Sequence, residues 1–276
     1  MPLIEVIVLG IVQGLTEFLP VSSTAHLVIV PKLLGWPDPG LSYDIALHVG
    51  TLAAVLLYFF RDWIQLIGQG LGLRGGADPE LQRNRMLFWF LILGTIPGGI
   101  AGLLFQKRAE TDLRGPYVIA AFMIAIGIFM WMADSIGQKK RDLSHVSALD
   151  SIIIGVAQAI AVIPGVSRSG ITISAGLLRD LDRPSAARFS FLLSTPIIMG
   201  AAAKDFWDLM RHEGGITPEM RTSFGLGILV SAITGCVTIA FFLEFLRRRG
   251  LAFFVWYRIV VGIALIVLAA EFHWFA

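Results

Sequence analysis

Two apolar stretches of this chain, residues 1–35 and 149–179, are each interrupted near the middle by Pro, Gly, Ser and Thr, reading LPVSSTAH at 19–26 and IPGVSRSGIT at 163–172. A helix broken inside hydrocarbon leaves backbone N–H and C=O groups unpaired, which is tolerated only where protein or a water-filled cavity surrounds the break. Each stretch therefore reads as a re-entrant helical hairpin, with arms of roughly 10 to 18 residues that are short for crossing ~30 Å of hydrocarbon. The surroundings are indeed those of a membrane chain: 56% of residues are apolar, 15% are charged and the mean hydropathy is +0.76. Six more apolar runs, at about 44–60, 86–105, 117–133, 189–205, 224–246 and 251–271, are each near the length of a full span.

Shifting the sequence by 145 positions lays GIVQGLTEFLPVSST (10–24) over GVAQAIAVIPGVSRS (155–169), pairing Gly10 with Gly155, Gln13 with Gln158, Val21 with Val166 and Ser22 with Ser167. The chain is thus an internal repeat, about 1–133 and about 149–271, each half a hairpin followed by three spans. An odd number of spans inverts the second half, and inverted repeats with broken helices form a site between the breaks near the midplane. The expected architecture is an all-α integral membrane protein, one membrane domain over 1–276, with six transmembrane helices and two re-entrant hairpins.

Charge sets the orientation. Segments 61–85, 134–148, 180–188 and 247–250, with Arg179, fall on one face and carry thirteen Lys or Arg, against seven on the other. The richer face is expected to be cytoplasmic. A net charge of +2 gives no nucleic-acid footprint, and one cysteine, Cys236, excludes an intramolecular disulfide. Glu5 with no basic residue before the first apolar run is unlike a secretory signal, so retention of the N-terminus is expected.

The two breaks gather the chemistry. Ionisable side chains in membrane segments are costly and are functional candidates by default. The first break holds Gln13, Glu17, Ser22, Ser23, Thr24 and His26; the second holds Ser167, Arg168, Ser169 and Thr172. Arg168 offers a planar fork of donors, and the neighbouring hydroxyls and a helix N-terminus add more, which composes a phosphate cradle. Gln13 and Glu17 share a helix face and suit a hard divalent cation such as Mg or Ca, or Glu17 alone serves as general base. Ser23 and His26 supply a nucleophile and a proton acceptor if the turn brings them together. Hydroxyls in membrane helices also commonly bond to carbonyls of their own helix. His48 reads equally as a packing residue, Arg258 as a side chain reaching for the interface, and Gly10-x-x-x-Gly14 as a common small-residue face.

The runs QGLTEFLPVSSTAH (13–26) and PGVSRSGITIS (164–174) resemble the two signature motifs of the undecaprenyl-diphosphate phosphatase family of the bacitracin-resistance type, and the likeness extends to FSFLLSTPIIMGA (189–201) and YRIVVG (257–262). The resemblance implies an essential Glu17 with Gln13 beside it, Ser23 as nucleophile, His26 as its acid/base partner, and Arg168 as phosphate clamp. Ser22, Thr24, Ser167, Ser169 and Thr172 would assist in binding phosphate. It further implies a prenyl diphosphate lipid as substrate, a divalent metal, a place in the bacterial inner membrane among its lipids, and a site open to the periplasmic face. A homodimer is left open. Gln13 stands where some relatives carry Glu, which weakens any metal site. The principal rival is a translocase for a phosphorylated lipid, which would use the Arg168 cradle without chemistry.

Overall fold

The computed structural model describes residues 1–37, 39–73, 75–212 and 218–271. Among these the chain is helical throughout: α1 (Leu3–Thr16), α2 (Ser23–Leu33), α3 (Leu41–Tyr58), α4 (Phe60–Gly70), α5 (Pro79–Arg83), α6 (Leu87–Asp112), α7 (Pro116–Ile136), α8 (Ala148–Ile160), α9 (Arg168–Leu178), α10 (Arg183–His212), α11 (Pro218–Arg248) and α12 (Ala252–Glu271). Five of them, α6, α7, α10, α11 and α12, are long and apolar enough to cross a membrane, and α3 with α4, bent by 72°, makes up to six.

Local sequence explains the boundaries. Ser147 and Asp150 form a reciprocal capping box that starts α8, Asp78 caps α5 ahead of Pro79, and Pro116 opens α7. The four arms beside the breaks hold 14, 11, 13 and 11 residues. At ~1.5 Å per residue none reaches across ~30 Å of hydrocarbon. Where a run was expected to stop at a polar residue the helix often continues: α6 and α10 outlast the apolar runs at 86–105 and 189–205. Backbone hydrogen bonding extends a helix into headgroups and water without regard to hydropathy.

The two halves interlock. α1 packs on α11 while α8, its counterpart in the repeat, packs on α6. Paired glycines make both approaches close: a Cβ at Gly10 would sit 2.9 Å from Val230, and one at Gly155 would strike the Gly94 backbone. Gly14 is as tight, with 2.6 Å to Thr234, so the small-residue face of α1 is an interface rather than an accident of composition. α7 packs on α12 and α3 on α10. Large apolar side chains such as Leu103, Trp131 and Phe241 point outward, as hydrocarbon permits.

At one end, ion pairs join the basic-rich segments. Arg188 contacts Asp62 at 2.6 Å and Asp78 at 2.8 Å, and Arg183 contacts Asp134 at 2.6 Å. The second Asp134 oxygen accepts from the Leu251 backbone. Buried Asp150 ties Arg141 and Arg179, each at 2.7 Å, closing the base of the α8–α9 hairpin.

Candidate active site

Both breaks enter the interior and meet. Phe18, Val21 and Val166 belong to the main buried cluster, with Phe18 edge-on to Phe191 of α10 at 5.4 Å. Arg168 forms an ion pair with Glu17, and the Ser169 hydroxyl donates to the Leu19 carbonyl at 3.1 Å. Two residues 151 positions apart are thereby joined at the centre of the molecule.

Glu17 is the hub. Its Oε2 accepts from the Ser23 hydroxyl at 2.8 Å and from Gln13 Nε2 at 3.1 Å, while Oε1 faces Arg168. His48 of α3 brings Nε2 to 3.8 Å from the same carboxylate. Its Nδ1 donates to the Asp44 carbonyl at 2.7 Å, which fixes the ring's orientation. Glu17, Ser23, His48 and Arg168 line a cavity of about 290 Å³ together with Ser22, Thr24 and Ser167. Gln106 of α6 and Arg114, between α6 and α7, also line it, and Arg114 stands 3.7 Å from Asp44.

The breaks share an unusual backbone. Ser22 and Ser167 both adopt positive φ, which non-glycine residues rarely do and which recurs where a site holds its chain in place. Ser167 then caps α9, accepting from Gly170 N at 3.2 Å, so the helix begins with Arg168 at its positive end.

Several expected site residues lie elsewhere. His26 is not in contact with Ser23: its Nδ1 meets the Ser22 carbonyl at 2.7 Å and its Nε2 the Tyr257 hydroxyl at 2.7 Å. Helical geometry directs it to the residue four positions back, and the Ser23 hydroxyl bonds to Glu17 instead. Thr172 turns away from the cavity, with its hydroxyl on the Arg168 carbonyl at 2.7 Å and on Ser190 at 2.6 Å. Ser169 is spent on Leu19. Thus Glu17, Gln13, Ser22, Ser23, Thr24, Ser167 and Arg168 gather at the breaks, while His26, Ser169 and Thr172 brace the walls.

Arg258 corrects its sequence reading outright. It does not reach for an interface: it is fully buried and donates to the carbonyls of Met123 at 3.1 Å, Pro20 at 3.3 Å, Phe122 at 3.3 Å, Gly165 at 2.7 Å and Val166 at 3.2 Å. A break frees carbonyls that no helix can satisfy, and a guanidinium supplies five donors in one plane. One side chain therefore fastens both tips to α7 and α12. The signal was legible, since an ionisable residue well inside an apolar run is itself the mark.

Comparison with known proteins places this arrangement. The chain is 49% identical to an undecaprenyl-diphosphatase of Moorella thermoacetica over 97% of each chain. It is 47% identical to that of Pelotomaculum thermopropionicum over 98% of each, and 48% identical to undecaprenyl-diphosphatase 2 of Stutzerimonas stutzeri over 97% of this chain and 98% of that one. A family match over residues 6–264 begins in α1, ends in α12 and encloses both breaks and the Arg258 clamp: the chain belongs to the family described as bacitracin resistance protein BacA.

Proposed function

We propose that this chain hydrolyses undecaprenyl diphosphate to undecaprenyl phosphate and inorganic phosphate, returning the lipid carrier to peptidoglycan synthesis. One observation carries the reading: a serine hydroxyl bonded to a carboxylate, and that carboxylate paired with an arginine, all facing one cavity. A translocase needs the cation but not a hydroxyl with a base attached.

The chemistry begins with an exchange of partners. The terminal phosphate takes Glu17's place on Arg168, with Ser167 and the start of α9 as further donors. Glu17, released, accepts the Ser23 proton as Oγ attacks the terminal phosphorus. The bond to the bridging oxygen breaks and undecaprenyl phosphate leaves, taking the proton from Glu17. Water then attacks the phosphoserine, and Glu17, again a carboxylate, accepts a proton from the water and passes it to the departing Ser23 Oγ. Direct attack by water with Glu17 as base is the alternative route to the same products.

A divalent cation, Mg or Ca, belongs to this reading, and the donor set limits how it would be held. Among the described residues no three His, Cys, Asp or Glu side chains form a cage. Gln13 donates to Glu17 through Nε2 and its Oε1 is buried without a hydrogen-bond partner; with the amide turned over, the two residues would offer two oxygen donors to an ion that draws its other ligands from the diphosphate. Such an ion would neutralise phosphate charge.

The short arms, the meeting tips and the paired Ser22 and Ser167 conformations support two re-entrant hairpins, α1–α2 and α8–α9, within six spans, as inverted halves of one membrane domain. The basic-rich end is read as cytoplasmic, and the side of the cavity at Arg114 as facing the periplasm across the inner membrane.

The decisive experiment incubates purified protein with undecaprenyl diphosphate in detergent, with and without chelator. Release of inorganic phosphate that is lost on chelation is the expected result. No release from well-folded protein supplied with metal would overturn the reading.

A further inference from the structure

Gln158 ends α8 as Gln13 ends α1, and the two are counterparts in the repeat. Their surroundings differ in one respect. Gln13 finds Glu17 four residues on and bonds to it, whereas the residue four after Gln158 is Val162. Gln158 is only 3% exposed, yet among the described residues neither Nε2 nor Oε1 has a hydrogen-bond partner. Because both ends of the amide are unpartnered, the conclusion does not depend on which atom is nitrogen.

The side chain lines the same cavity as Arg168 and Ser23. It sits against Gly98 of α6, where a Cβ would stand 3.1 Å from Nε2 and 3.3 Å from Ile197 of α10. The amide therefore lies where the polar site gives way to the apolar walls of α6 and α10. A buried polar group without a partner calls for a reason, and for a residue that lines a binding cavity a small shift of the amide toward a bound ligand supplies one.

We propose that Gln158 is a substrate-binding residue whose amide N–H donates to a phosphate oxygen on the lipid side of a prenyl diphosphate, while Arg168 and Ser23 take the terminal phosphate. This rests on the hydrolase reading above and adds to it the group that fixes where the diphosphate ends and the prenyl chain begins. Gly98 has a role in the same contact: a Cβ there would press on the amide at 3.1 Å and require it to shift.

The test uses full-length protein in detergent with undecaprenyl diphosphate, reading kcat, KM and the thermal midpoint. Gln158→Leu keeps the volume and removes the amide. Its KM is expected to rise about tenfold with kcat within about twofold, and its midpoint to be unchanged or higher, because an unpartnered polar group has been replaced by an apolar one. Gln158→Glu keeps the shape and sets a carboxylate against phosphate, so its KM should rise further, on the order of 100-fold. A Leu variant with wild-type KM overturns the proposal. So does a Leu variant whose midpoint falls, or a Glu variant that binds as wild type does. A wild-type protein that releases no phosphate refutes the hydrolase reading instead, and is distinguished by that control.

Discussion

Ser22 and Ser167, 145 residues apart, hold nearly the same left-handed backbone, φ 78° and ψ 95° against φ 68° and ψ 110°. Each ends a break and each precedes the helix whose first residue faces the cavity, Ser23 in one half and Arg168 in the other. The shared turn delivers a hydroxyl from one side and a cation from the other to a common point. At such φ values a non-glycine residue costs on the order of 1–2 kcal/mol. Ser22→Gly is therefore expected to keep or slightly raise the thermal midpoint in detergent. Ser22→Val, β-branched in the same conformation, should lower stability by about 2 kcal/mol or more. Equal midpoints for the two variants would refute the strain.

Ser23 bonds to Glu17, and Ser22, though adjacent, does not cap its helix. Ser23→Ala is expected to lose on the order of 10³-fold in turnover, the scale at which members of a cooperating set register, and Ser22→Ala much less. Rapid quenching should trap a phosphoserine at Ser23. Equal, modest losses with no trapped intermediate would assign the attack to water activated by Glu17.

Arg168→Lys preserves the charge facing Glu17 but not the planar fork that grips phosphate through two parallel bonds. Most activity should disappear while the thermal midpoint stays near wild type. A Lys variant that turns over normally would remove the clamp from the mechanism.

Among the described residues Arg258 has five carbonyl partners and no carboxylate, so its contribution is to hold backbone in place. Arg258→Met leaves those carbonyls buried and unsatisfied and is expected to cost about 3 kcal/mol or more of stability, with activity lost alongside. Arg258→Lys should recover only part of either. A Lys variant with a wild-type midpoint would return Arg258 to an interfacial role.

Orientation is open to direct measurement. Reporter fusions after residue 70 and near residue 145 should report cytoplasm, and one near residue 215, outside the described residues, should report the opposite side. The same side for 70 and 215 would break the inverted repeat.

The breaks were legible because Pro, Gly and hydroxyl residues are costly inside an apolar run, which follows from composition along the chain. The partners of His26, Ser169 and Thr172 were not legible, since a side chain's direction depends on which neighbour the fold delivers: Tyr257 and Ser190 come from α12 and α10. His48 reads alike as packing or site from sequence, and only the approach of α3 to the first break separates the two. The bend between α3 and α4 left no mark because Tyr58, Phe59 and Phe60 continue the apolar run through it.

The Arg258 clamp also sets a schedule. The tips it fastens are synthesised early, around residues 20 and 165, but their carbonyls have no guanidinium until α12 follows them into the membrane. A nascent chain still lacking that segment already owns Glu17, Ser23 and Arg168, and its two loops are joined by the Glu17–Arg168 pair and the Ser169–Leu19 bond without the guanidinium behind them. A chain cut short before α12 would therefore keep Glu17, Ser23 and Arg168 and lose the donors that fix the carbonyls behind them.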